Sequence, residues 1–273
     1  MMHIGLVQLD GDPASQPLQD WRDHVCELAL RRAGDDVVVL PELWPVGGFN
    51  ISDFPSAAES LDGPHVAALS RVARKLGCLL HGGSFVELGD DGRRFNTSVV
   101  FGPDGTLRAV YRKIHLFGFA EGEPAVLDGG TNVVTVEYQG VQFGLATCYD
   151  LRFPELFRLL VDAGSQVVLV CSAWPAVRAE HWRVLVRARA IESQAFVAAC
   201  NVGGSQGIGS RRTAYAGSSI VLDPLGAVLA EAGTGGGAIS ADIDLTLVES
   251  WRARFPALGD RVLGLPTPLA RMY

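Results

Sequence analysis

The chain has 273 residues, 48% of them hydrophobic and 19% charged, with a formal net charge of −7. That length supports a large core in one or two domains. The acidic balance and the lack of a dense basic run argue against nucleic-acid binding and against attraction to an anionic membrane surface.

The chain opens on MMHIGLVQLDGD, where residues 4–9 read as a strand and Asp10 and Asp12 interrupt any secretory signal. Residues 18–33 place apolar side chains near i, i+3, i+4 and i+7 and read as a helix. VVVLPE, 37–42, is a buried strand that stops at Pro41. Residues 62–77 are a helix, with Pro64 near its start and Gly77 after its end. A strand follows at 78–87. The strands 95–101 and 107–113 flank the turn GPDGT, and the strands 133–138 and 141–147 flank Gln139-Gly140, which predicts two hairpins. A helix from Pro154, a strand at 166–171, a long helix at 178–193 and a strand at 195–201 come next. A last hairpin, 218–231, turns at Asp223–Gly226. VVLVCSAW, 167–174, is strand-length and far short of a membrane span. Continuous apolar strands alternating with helices and hairpins predict an α/β fold of mixed sheets covered by helices. The tail from about 253 carries Pro256, Pro266 and Pro268 and reads as a C-terminal arm that packs on another subunit.

The cysteines are Cys26, Cys78, Cys148, Cys171 and Cys200, an odd and scattered set without a CxxC pair. A disulfide framework or zinc site is not expected, and the reading is a reducing, cytoplasmic compartment. Four of the five read as small buried hydrophobes. Cys148 differs, because GLATCYDLRFPEL places it where a strand gives way to a helix start. Such an elbow presents a side chain, frees backbone N–H groups to hold an oxyanion, and can lower a thiol pKa. From position alone, packing residue and nucleophile are both open for Cys148.

A thiol nucleophile needs a base. Of the histidines, His115 is the candidate, with a structural hydrogen-bonding role equally open. Glu42, at the end of a very apolar strand and flanked by Pro41, Leu43 and Trp44, is the carboxylate candidate. It is either walled into a pocket, where it can transfer protons, or already out in water. Of 23 lysines and arginines only Lys75 and Lys113 are lysine. Lys75 lies on a helix face. Lys113 sits beside Phe117 and Phe119, where a compact point charge has a use that arginine does not serve. Glu121 and Glu123 lie in an irregular loop. The cluster NVGGSQGIGS, 201–210, lacks a dinucleotide or phosphate-loop fingerprint and reads as a mobile loop.

Taken together, LPELW with Glu42, YRKIHLF with Lys113 and ATCYDLRFPEL with Cys148 resemble the nitrilase superfamily of carbon–nitrogen hydrolases. QLD (8–10), the hairpin before Lys113, RARAIESQAFVAACNVGG (187–204) and YAGSSIVLDPLG (215–226) extend the likeness through nearly the whole chain. The resemblance implies a four-layer α-β-β-α sandwich of two mixed sheets with outer helices, one domain over 1–273 with an arm at about 253–273. It also implies homodimers or higher homo-oligomers, no metal and no organic cofactor. Glu123, followed by Leu127 and Gly130, fits the family's second glutamate, and Glu121 does not. On this basis Glu42 takes the proton of Cys148, and Lys113 with the Tyr149 N–H holds the oxyanion. A thioester forms, and Glu42 activates the water that hydrolyses it. Cys148-Tyr149-Asp150, where nitrilases that resemble this chain have Cys-Trp-Glu, is most similar to omega-amidases, which act on 2-oxoglutaramate and 2-oxosuccinamate. Such a small amide carries a carboxylate. Arg152 is the cation expected to face it, unless Arg152 pairs with Glu155 or Asp150. Trp174 is expected to wall the pocket, unless it belongs to the core. An N-carbamoyl amino acid hydrolase, a deaminated-glutathione amidase and a nitrilase are the alternatives; a non-enzymatic member would have lost part of the Cys-Glu-Lys set.

Overall fold

The computed structural model describes residues 1–207 and 212–262. Its strands in chain order are β1 (Met2–Gln8), β2 (Val37–Val39), β3 (Leu79–Leu88), β4 (Arg94–Phe101), β5 (Leu107–Arg112), β6 (Thr135–Tyr138), β7 (Val141–Thr147), β8 (Val167–Cys171), β9 (Phe196–Cys200), β10 (Ser205–Gln206), β11 (Thr213–Ala214), β12 (Ile220–Leu222), β13 (Val228–Glu231) and β14 (Gly237–Ile243). The helices are α1 (Leu18–Leu30), α2 (Phe54–Ala57), α3 (Pro64–Leu76), α4 (Pro154–Asp162), α5 (Ala179–Ser193) and α6 (Thr246–Arg254).

Two six-stranded sheets form, in the orders β14-β1-β2-β3-β4-β5 and β13-β12-β9-β8-β7-β6. In each the middle strands are parallel, β1-β2-β3 and β7-β8-β9, and the flanking ones antiparallel. The parallel pairs need crossover helices, which α1 and α3 supply on one sheet and α4 and α5 on the other. Alternating residues of β2 show how the layers stack. Val37 and Val39 face the second sheet with Leu145, Leu169 and Ala198. Val38 faces Val25 of α1 and Leu69 of α3. A strand covered on both faces reads as an unbroken apolar run, which is why its period of two was hidden. The result is the four-layer α-β-β-α sandwich of two mixed sheets with outer helices. Among the described residues, no helix is long and apolar enough to cross a membrane.

One boundary and one strand depart from the sequence reading. β2 stops at Val39, before the expected 42, because Pro41 has no N–H for a ladder and the chain turns at Leu43 (φ 45°). Strand β14 went unread: it opens on glycine, its first four residues are exposed or half-buried without alternation, and it closes the first sheet beside β1. The C-terminal tail, expected from about 253, follows α6, which ends at Arg254. Pro266 and Pro268 of the expected arm, and 208–210 of the expected mobile loop, lie outside the described residues.

Two histidines are sealed around the first sheet, His65 on its helical side and His81 on β3. His65 lies between Trp44 and Phe85, with ring centroids 4.8 and 4.7 Å away. Burial, helped by the charge of Arg22, pushes its pKa down to about 3. Burial pushes His81 down to about 4. Unfolded histidine protonates near 6.5. Between pH 6.5 and 4 the unfolded chain therefore binds protons that the folded chain refuses, and stability falls as pH falls through that window. Urea unfolding is expected to show this slope. His65→Leu should remove about one proton from it, about 1.4 kcal/mol per pH unit where that histidine titrates.

Candidate active site

Glu42 leaves the end of β2 on a stretch clamped by β3. Ser84 N–H donates to Pro41 O at 3.2 Å, and Leu43 N–H donates to Ser84 Oγ at 2.9 Å. Gly83 (φ 68°) permits the approach, because a Cβ there would stand 2.1 Å from Pro41 O. The Glu42 side chain is 3% exposed, so it turns inward instead of emerging into water. Its Oε1 accepts from Lys113 Nζ at 2.7 Å and from Asn96 Nδ2 at 2.9 Å, and its Oε2 accepts from Ala173 N–H at 2.9 Å.

Lys113 follows β5 and is 1% exposed. Its ammonium also donates to Glu123 Oε1 and Oε2 at 3.1 and 2.8 Å. Burial alone would lower the Lys113 pKa; the charges of Glu123 and Glu42 overcome it and hold the pKa well above the ordinary lysine value. Glu123 is buried at the start of a short 3-10 turn and also accepts from Phe117 N–H at 2.7 Å, whereas Glu121 is exposed.

Cys148 begins the 3-10 turn Cys148–Arg152 directly after β7, in the left-handed region at φ 46°. A non-glycine residue held there costs of order 1 kcal/mol, and Asp150 locks it in place. The Asp150 carboxylate is fully buried. It accepts from Tyr111 OH at 2.6 Å and Thr147 N–H at 2.8 Å, and both the backbone N–H and Nδ1 of His115 lie within 3.1 Å of its Oδ1. His115 is thus tied to Asp150 and stacked on Phe153. The Tyr149 N–H, second in the turn, is among the groups at a helix start that lack an acceptor inside the helix. The elbow does not generate a resting thiolate. Burial, and then the charge of Glu42, raise the Cys148 pKa well above the ordinary thiol value, against a smaller pull from Lys113. Desolvation and the Glu42 charge together outweigh the Lys113 charge.

Glu42, Lys113, Glu123, Cys148, Tyr149, Arg152 and Trp174 all line one cavity of about 380 Å³. Arg152 makes no ion pair with Glu155 or Asp150. It lies 5.1 Å over the Trp174 ring and 5.8 Å over Tyr149, with Nη2 3.2 Å from His181 Nδ1. Trp174 is both wall and core: it is 2% exposed, with its indole N–H on Arg178 O at 2.8 Å. Sequence reasoning missed Asn96, which bridges the two glutamates, and Arg178, which lines the cavity over Phe117. Neither carries a local signal: Asn96 is one polar residue in a strand, and Arg178 precedes a helix like any surface charge. Among the described residues, no group of three or more His, Cys, Asp or Glu is arranged to hold a metal ion.

A thiol, buried carboxylates and a buried ammonium converging on a small cavity of a two-sheet sandwich define a class, the hydrolases of carbon–nitrogen bonds other than peptide bonds. The chain belongs to the carbon-nitrogen hydrolase family, which its residues 3–253 match. It is 37% identical over 267 residues to the 2-oxoglutaramate amidase of Paenarthrobacter nicotinovorans, covering 95% of this chain and 89% of that one. It is 35% identical over 247 residues to the omega-amidase NIT2 of Xenopus tropicalis, covering 86% of each. Among solved structures it superposes with a TM-score of 0.86 on a CN-hydrolase superfamily protein of Xanthomonas campestris that has an arsenic adduct in its active site. That pair is 34% identical, covering 97% of this chain and 99% of the other.

Proposed function

We propose that this protein is an omega-amidase, hydrolysing the terminal amide of a small 2-oxo acid such as 2-oxoglutaramate through a thioester on Cys148. The observation that carries the chemistry is the convergence of Glu42, Lys113 and Cys148 on one cavity, each held by elements far apart in sequence. The neutral Cys148 thiol hands its proton to Glu42 as its sulfur attacks the amide carbon. Charge builds on the amide oxygen, where the Lys113 ammonium and the Tyr149 N–H meet it. Glu42 passes the proton to the departing nitrogen, and ammonia leaves. Glu42 then takes a proton from water, which attacks the thioester and frees the acid. Glu123 holds Lys113 and faces the amide nitrogen.

The substrate class rests on charge and on relatives. Glu42, Lys113 and Glu123 carry a formal sum of −1, while the same cavity is also lined by Arg152 and Arg178 on aromatic faces, neither ion-paired with an acid among the described residues. Two such cations fit a carboxylate tail. The relatives named for 2-oxoglutaramate and omega-amide hydrolysis support the same class. The five cysteines are free thiols, which supports a reducing, cytoplasmic setting. The proposal extends to one domain over 1–273 and to a homodimer or higher assembly.

The test is ammonia release from 2-oxoglutaramate beside glutamine, deaminated glutathione, an N-carbamoyl amino acid and a simple nitrile. Turnover of 2-oxoglutaramate ahead of the others is expected. Arg152→Leu should then lower kcat/KM for that substrate about tenfold to a hundredfold, mostly through KM, the cost of a charged hydrogen bond. Preference for another member of the panel would move the substrate assignment and leave the chemistry standing.

A further inference from the structure

Asn96 lies on β4 with no exposed surface. Both hydrogens of its amide nitrogen are committed, to Glu42 Oε1 at 2.9 Å and to Glu123 Oε1 at 2.8 Å. The reversed amide would turn its oxygen onto two carboxylates, so electrostatics fix this orientation. Its Oδ1 is buried and has no hydrogen-bond partner among the described residues. A buried acceptor without a partner destabilises a fold, and an apolar residue of similar size would avoid that cost. Packing therefore does not explain the choice.

Counting lone pairs does. Each carboxylate oxygen offers two. On Glu42, Oε1 receives Lys113 Nζ and Asn96 Nδ2 and is full, whereas Oε2 receives, in the hydrogen bonds of the described residues, the Ala173 N–H alone. We propose that Asn96 is a positioning residue that makes Oε2 of Glu42 the atom exchanging protons with Cys148, and that fixes Glu123 in place beside it. When the thiol reacts, its proton moves from Sγ to Oε2 while the sulfur lone pair forms the bond to the amide carbon. Oε1 stays bonded to Asn96 and Lys113 throughout, so the carboxyl plane does not turn. The same oxygen then returns the proton to the leaving nitrogen. Because one neutral amide spans both glutamates, the cluster holds two carboxylates with a single cation.

This proposal rests on the reading of Glu42 as base and Cys148 as nucleophile. The experiment compares Asn96→Leu and the isosteric Asn96→Asp with wild type, using the panel substrate that wild type turns over. Asn96→Leu is expected to lose about a hundredfold in kcat with KM within a few fold, the scale of a misplaced catalytic group. Asn96→Asp sets a third carboxylate against two, so the cluster must bind an extra proton to keep its charge. Its kcat/KM profile is expected to narrow, falling on the alkaline side as that proton is lost. A residue that only supported the fold would lower the melting temperature and leave the profile where it was. An Asn96→Asp profile that superimposes on wild type, or unchanged kcat in Asn96→Leu, overturns the proposal. If Asn96→Leu does not fold, the Asn96→Asp profile decides. An active Cys148→Ala variant would instead sink the underlying reading, so the two failures are told apart.

Discussion

Cys148→Ala is expected to abolish ammonia release, by about 10⁵-fold or more, while the protein stays folded. The size follows from removing the atom proposed to form the thioester, for which no neighbour substitutes. The four other cysteines lie elsewhere, and none of them lines the cavity. The folded state should tolerate the change. Cysteine and alanine meet the same backbone strain at φ 46°, since each carries a Cβ, and the Asp150 bonds that hold the elbow do not involve the thiol. The measurement is turnover on the panel together with a thermal melt. A folded Cys148→Ala protein that still releases ammonia would remove the thioester route. Because the thiol is neutral at rest, the proposed route needs the carboxylate beside it to take the proton, and Glu42→Gln should lower turnover on the panel steeply even though losing the Glu42 charge eases ionisation of the thiol.

Lys113→Met carries the second large effect, on rate and stability together. Removing one oxyanion donor costs about 10²- to 10³-fold in kcat. The loss should exceed that range here, because the ammonium also holds Glu42 and Glu123 at 2.7 and 2.8 Å. Taking the cation away leaves two buried carboxylates facing each other, which destabilises a fold by about 3–5 kcal/mol. Lys113→Arg keeps the charge and should recover much of that stability, yet little of the rate. A guanidinium is a flat fork of five donors, and the Lys113 site, 1% exposed, is shaped for a small ammonium that contacts three carboxylate oxygens. Urea unfolding and steady-state kinetics on both variants check the pair. An Arg variant as fast as wild type would mean that charge alone suffices.

Parts of this site were legible because their signals are local. The elbow at Cys148 shows as an apolar run meeting Pro154. Glu42 shows as a charge closing VVVLP, and Lys113 as one of two lysines in a chain that otherwise uses arginine. The choice of Glu123 over Glu121 needed the family likeness, and burial separates the two in the fold. Asn96, Arg178 and the Ala173 N–H had no comparable signal, because each matters only through what it faces. Among the elements, α3 and α4 were marked by a proline at their first turn. The last helix and strand, α6 and β14, were missed, since a short, weakly patterned helix and an exposed edge strand give little periodicity.

The sequence by itself determined the run of strands and helices, the hairpin turns, the elbow and the three residue types on which a thiol hydrolysis depends. Those properties follow from side-chain periodicity and backbone preference within a few residues. Only the tertiary structure decided that Glu42 turns inward, that Lys113 is shared between two carboxylates, that His115 belongs to Asp150 and that the thiol rests neutral. Each of these depends on which segments meet and how much water they exclude. Two sheets closing on one another bring residues as distant as Glu42 and Ala173 within hydrogen-bond reach, and the low dielectric they create sets the protonation of everything between them.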